Sequence, residues 1–158
     1  MIWKFSGEIL KKDQLVGAKI FIDVLQGGSM LPLAAVCDHL DSYPISLKAL
    51  LEFLVNEKQI EEESITSRLA IVYINEINQP RKQELSSPGH RMNVNKLRCL
   101  LRTSKSLELP RLLDLLNATI FPHEHAIVCG RLGQHSAAVN IFILKLQVCL
   151  AYDTLFKT

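Results

Sequence analysis

Three side chains of metal-ligand type fall within seven residues: His123, His125 and Cys129. A tetrahedral zinc site needs four convergent ligands, or three and a water. Histidines two apart on a helix point to different sides, and no HExxH is present. Pro122 puts both histidines in the first turn of a helix, where solvated polar side chains are ordinary. The expectation is therefore no metal site. A small helical metal-dependent protein using His123, His125 and Cys129 is the competing class. Glu124 between them suits a helix dipole better than general-acid work.

Nucleophilic catalysis requires a Cys or Ser beside a positioned His and a third, orienting group. Cys99 and His90 are the nearest such pair, but they span a loop and a helix without a GxSxG-type turn. There is no P-loop and no GxGxxG, so Gly27-Gly28, Gly130 and Gly133 read as helix stops or close-packing sites, not a phosphate cradle. No catalytic residue and no cofactor is expected. Arg81-Lys82 and His90-Arg91 form a local basic cluster that reads as a solvated loop, or as a contact for an acidic partner. Ser86-Ser87-Pro88 in the same loop offers hydroxyls for phosphorylation, in a context too common to weigh.

Over all 158 residues, 18 Lys+Arg face 16 Asp+Glu, and the net charge of +2 forms no block. That leaves no electrostatic footprint for a nucleic acid, and the aromatic interleaving of an RNA platform is missing. With 48% hydrophobic letters the chain excludes disorder, and at this length it buries roughly 70% of its unfolded surface. Cys37, Cys99, Cys129 and Cys149 show no CxxC and sit among apolar letters, as buried hydrophobes in a reducing cytosol would. Met1 to Leu10 has no apolar h-region. Ala137 to Tyr152 is interrupted by Asn140, Lys145 and Gln147 and is shorter than the ~20 residues of a spanning helix, so neither a secretory signal nor a membrane span is expected.

The elements that must position these residues are helical. Apolar letters recur at helical spacing in nearly every segment, which predicts an all-α fold of seven to nine short helices. The candidates begin with Ile2 to Lys11 and Gln14 to Leu25, of which Lys19 to Val24 also suits a strand. Leu33 to Leu40 follows, then a helix opened by Pro44, and another behind Glu61-Glu62-Glu63 reaching about Asn78 with Ile65, Leu69, Val72, Tyr73, Glu76 and Ile77 as its stripe. Residues 79–93 read as an exposed loop. Short helices then follow from Val94, around Leu109 to Leu116, from Pro122, and from about Ser136 to Gln147 with Ala137, Ala138, Ile141, Phe142 and Leu144 inward. Ala126, Cys129, Gly130 and Gly133 are spaced for close helix approach, with Gly133 as a C-cap. Pairs stacked in order make an α-solenoid of antiparallel hairpins of the clathrin heavy-chain-repeat type, while a compact bundle is the other arrangement. The expected organisation is a first solenoid segment at 1–78, the loop at 79–93, a second segment at 94–147 and a divergent apolar tail at 148–158. The tail residues Val148, Cys149, Leu150, Tyr152, Leu155 and Phe156 are expected to leave an adhesive end.

Two stretches carry a family resemblance. Tyr43 to Ile77, with Val16 to Phe21 upstream, resembles the central region of the TGF-β receptor-associated protein family, whose relatives include vacuolar sorting subunits of class C endolysosomal tethers. Leu97 to Gln147 is similar to the next module, through Ala126, Ile127, Gly130, Arg131, Leu132, Gly133, His135 and Ala138. The resemblance covers about residues 13 to 147, apart from the loop. It implies a clathrin-repeat α-solenoid without catalytic activity, in a cytoplasmic protein held peripherally on endosome or vacuole membranes only through partners. The implied partners are other subunits of CORVET-like or HOPS-like tethers, Rab GTPases and SNAREs. The alternative is a signalling adaptor for a TGF-β receptor or Smad. The family's N-terminal propeller has no counterpart here and VCLAYDTLFKT departs from its pattern after Gln147, so a truncated or alternatively ended chain is expected.

Overall fold

The computed structural model describes residues 2–79 and 88–144. Among these residues the fold is all-α, with no strand. The chain divides into two compact units, residues 1–72 and 73–158.

The first unit opens with α1 (Ile2–Lys12) and α2 (Gln14–Gln26), separated by Asp13 alone. The Asp13 carboxylate accepts from the amides of Leu15 at 2.9 Å and Val16 at 3.2 Å, satisfying donors that a helix start leaves unpaired. Gly17 is needed where the two helices meet, since a Cβ there would lie 2.3 Å from Cδ2 and 3.3 Å from Cα of the buried Leu10. Lys19 to Val24 is helical, its strand-like letters overridden because Ala18 and Phe21 supply a buried helix face. Gly28, at φ +81°, ends α2 in a Schellman turn: Ser29 N–H donates to Val24 C=O and Gly28 N–H to Leu25 C=O.

α3 (Leu33–Leu40) buries Val36, Cys37 and Leu40, and α4 (Pro44–Glu52) starts on its proline and buries Ser46, Leu47, Leu50 and Leu51. α2 packs against α1 and α4, and α3 against α4. The Ser46 hydroxyl donates to the Gln14 carbonyl across the α2–α4 contact. Beyond α4 the chain widens into a π turn, Phe53–Glu57, closed by Lys58 N–H on Phe53 C=O at 3.1 Å. Gln59 then adopts φ 51°, in the left-handed region, which lets Ile60 N–H reach Leu54 C=O at 3.0 Å.

α5 (Glu63–Asn78) crosses from the first unit into the second. Its buried residues include Ile65, Leu69 and Tyr73, as the spacing predicts, but also Thr66, Ser67, Ala70 and Ile74, while Val72, Glu76 and Ile77 are only half-buried. Small side chains at 66, 67 and 70 widen the covered face beyond a stripe of large letters.

In the second unit α6 (Pro88–Thr103) begins six residues before Val94, so 88–93 of the expected loop are helical. Proline is preorganised for a first turn, and the polar letters after it carry no apolar stripe to reveal the helix. Leu97, Leu100 and Leu101 face inward, α7 (Leu109–Leu115) contributes Leu112, and α8 (Pro122–Arg131) packs on both α6 and α7. α8 ends as the glycine spacing predicts: Gly133 takes φ +79°, with Gln134 N–H on Cys129 C=O and Gly133 N–H on Gly130 C=O. Residues 135–144 form a further helix, whose Ala138 and Ile141 pack with Ala126, Cys129 and Leu113. Ala137, Phe142 and Leu144, expected inward, are exposed, so the buried side of this helix is narrower than its apolar letters suggest. The expected elements within 80–87 and the tail at 148–158 lie outside the described residues. Among the described residues no helix is long and apolar enough to cross a membrane.

Candidate functional site

The residues with ligand chemistry do not converge. His123 contacts Arg98 Nη2 through Nδ1 at 3.4 Å and meets Phe142 edge-on at 6.0 Å between ring centres. His125 turns elsewhere, its Nδ1 2.5 Å from the Leu116 carbonyl. Cys129 packs in the apolar cluster with Ala126 and Ala138, where burial pushes its thiol pKa up. Among the described residues no three His, Cys, Asp or Glu side chains are placed to share a metal ion. Cys99 and His90 both lie on α6, nine residues apart and so on opposite sides of the helix, with Cys99 exposed. Gly130 meets nothing within 4 Å of its notional Cβ, so close packing is carried by Ala126 and Cys129 and not by the glycine. Arg81, Lys82, Ser86 and Ser87 lie outside the described residues, whereas His90 and Arg91 belong to the first turns of α6.

What the fold does bring together is polar and internal. Glu124, in the first turn of α8, is 2% exposed and accepts from Arg98 Nε at 2.5 Å. Arg131, in the last turn of α8, donates through Nη1 to the Leu101 carbonyl at 2.8 Å. Two cationic side chains of opposite origin therefore fix the α6–α8 pair at both ends of α8. A helical wheel over Phe121, Glu124 and Val128 carried the signal for Glu124, since all three share one buried stripe. Its partner Arg98 was hidden, because the sequence does not say which basic residue of α6 turns inward.

The first unit holds a second polar group. Arg68 donates to Asp38 at 2.8 Å and lies 3.8 Å from Asp41, joining α5 to the end of α3. Cys37 beside them is buried, which pushes its thiol pKa up, and the Arg68 guanidinium only partly offsets that. Both carboxylates are largely solvent-facing, so this group is a surface clip between helices.

Among the described residues the fold is thus a set of packed helices, in which α2 meets α1 and α4, and α8 meets α6 and α7, with polar groups that fix helix to helix. Over nearly its whole length the chain is similar to transforming growth factor-beta receptor-associated protein 1: 30% identical to the Homo sapiens protein over 152 residues, 93% of this chain and 18% of that protein. The Bos taurus protein is 30% identical over 154 residues, 92% of this chain and 17% of its own length. The Danio rerio homologue is 26% identical over 155 residues, 93% of this chain and 18% of that protein. The family resemblance carried by Tyr43 to Ile77 and Leu97 to Gln147 is borne out, and the chain spans less than a fifth of the length of the curated relatives it matches. No family model matches the chain. No solved structure matches it.

Proposed function

We propose that this chain is a non-enzymatic protein-interaction scaffold: a stretch of α-solenoid from a subunit of an endolysosomal vesicle-tethering complex, acting in protein transport and membrane fusion. The observation that carries the reading is alignment with TGF-β receptor-associated protein 1 across 93% of the chain. The all-α packing is compatible with it, because a solenoid of stacked helix pairs extends a chain by burying each apolar face on the next, and a tether works through reach. In this account the protein is cytoplasmic and reaches endosome or vacuole membranes through CORVET-type or HOPS-type subunits, Rab GTPases and SNAREs. The name that the relatives carry points to one further partner, a TGF-β receptor.

The test is affinity capture of the tagged, helical chain from cytosolic lysate, with quantitative identification of what co-purifies. Enrichment of tether subunits, Rabs or SNAREs over a tag-only control is the expected result. Enrichment of a TGF-β receptor or Smad alone would move the chain to the adaptor reading, and enrichment of none of these would overturn both.

A further inference from the structure

We propose that the solvent-facing side of α6 is a docking surface for an acidic amphipathic helix of a partner protein. The inference deepens the scaffold reading and rests on it.

α6 carries Arg91, Lys96, Arg98 and Arg102 and not one carboxylate. Arg98 turns inward, to Glu124, and Lys96 is half-buried. Arg91 and Arg102 are exposed, and their spacing of eleven residues, about three turns, puts them on one side of the helix. Between and before them runs a shallow open groove lined by Pro88, Arg91, Met92, Asn95, Lys96 and Cys99, all from that one face. Met92 is 55% exposed, a polarisable side chain of the kind that adapts to varied apolar partners. Arg91 also sits near the α6 N-terminus, where the helix dipole disfavours a cation, and the first turn of α6 holds no acidic residue. A residue that opposes its own element marks a place where something other than folding sets the choice.

Charge complementarity selects the occupant. Cations at both ends of the face call for carboxylates, and Met92 with Cys99 between them calls for apolar side chains at i, i+3 and i+4. The face from Pro88 to Arg102 is about 21 Å long, the length of four turns of such a helix. An anionic membrane would want four to eight clustered cations with bulky apolar wedges, and a nucleic acid would want a phosphate-spaced basic track. Neither is present on this face among the described residues.

The experiment uses the full chain and a fluorescein-labelled helix-forming peptide of sixteen residues, with leucines at i, i+3, i+4 and i+7 and glutamates elsewhere, read by anisotropy. Its control carries lysine at every glutamate. Exposed Cys99 reports the location: bound peptide should slow its alkylation by iodoacetamide, read by mass mapping, while buried Cys37 and Cys129 stay unchanged. The expected result is saturable binding of the acidic peptide alone, protection of Cys99, and at least tenfold weaker binding in Arg91→Glu/Arg102→Glu. Should that variant lose helicity, Arg91→Gln/Met92→Ser replaces it, with at least threefold weakening expected. Binding without Cys99 protection, equal binding by the variants, preference for phosphatidylserine vesicles, or Cys99 protected by self-association without peptide would each overturn the proposal. A variant that loses the peptide yet still captures tether subunits leaves both readings standing. A wild-type chain that captures those subunits and ignores the peptide sinks this surface alone, and one that does neither sinks both.

Discussion

Removing Arg98 should cost the protein far more than removing the glutamate it holds. The Glu124 side chain is 3% exposed and that of Arg98 is 34% exposed. Arg98→Met therefore strands a carboxylate with no route to water, a loss of about 3–5 kcal/mol for breaking a buried pair from this side. Glu124→Gln leaves a guanidinium that already reaches solvent and a neutral amide that still accepts a hydrogen bond, so the cost falls to about 1–2 kcal/mol. Replacing both, as Arg98→Met/Glu124→Leu, removes the desolvated charges together and should return stability to within about 1 kcal/mol of the parent. The assay is urea unfolding followed by helical circular dichroism. With a slope of about 2 kcal/mol per molar urea, the arginine variant shifts its midpoint down by about 2 M. The reasoning is refuted if the arginine variant loses under about 1 kcal/mol, if the glutamine variant loses more than the arginine variant, or if the double variant is the least stable of the three.

Further perturbations probe the turns and the thiols. Gly17→Ala gains helix propensity but drives a methyl into Leu10, so a net loss of about 1–2 kcal/mol is expected in the same urea assay, and a gain would show that α1 moves aside freely. Gln59→Gly relieves a left-handed residue after the π turn and should stabilise by about 0.5–1 kcal/mol, whereas Gln59→Val should destabilise by a similar amount. With Ellman's reagent at pH 8, Cys99 should react at the rate of a free thiol. Cys37 and Cys129, whose pKa values are pushed up by burial, should react only as the chain opens in denaturant.

Elements announced by punctuation were readable from the sequence. Pro44 and Pro122 open α4 and α8, and Gly28 and Gly133 close α2 and α8, because each of those residues has a conformational reason to stand at a helix end. The start of α6 was not readable, since Gly89, His90 and Arg91 give no apolar period behind Pro88. Nor was the π turn at Phe53–Glu57, where Phe53 and Leu54 are buried much as a regular helix would bury them. His125 and Cys129, four apart on α8, are separated only by what each packs against, whereas the divergence of His123 from His125 was readable from their spacing of two. The pairing of Arg98 with Glu124 and of Arg68 with Asp38 was not, because it joins helices 26 and 30 residues apart and depends on which faces meet.

The most direct test of the scaffold account is a titration of the purified full chain against purified class C core tether subunits, with the TGF-β receptor cytoplasmic domain in parallel, by calorimetry. The account predicts saturable binding to a tether subunit with micromolar or tighter affinity and no turnover of any partner. A helical, monodisperse chain that binds no tether subunit at about 100 μM, where even interactions worth only about 5–6 kcal/mol register, would contradict it.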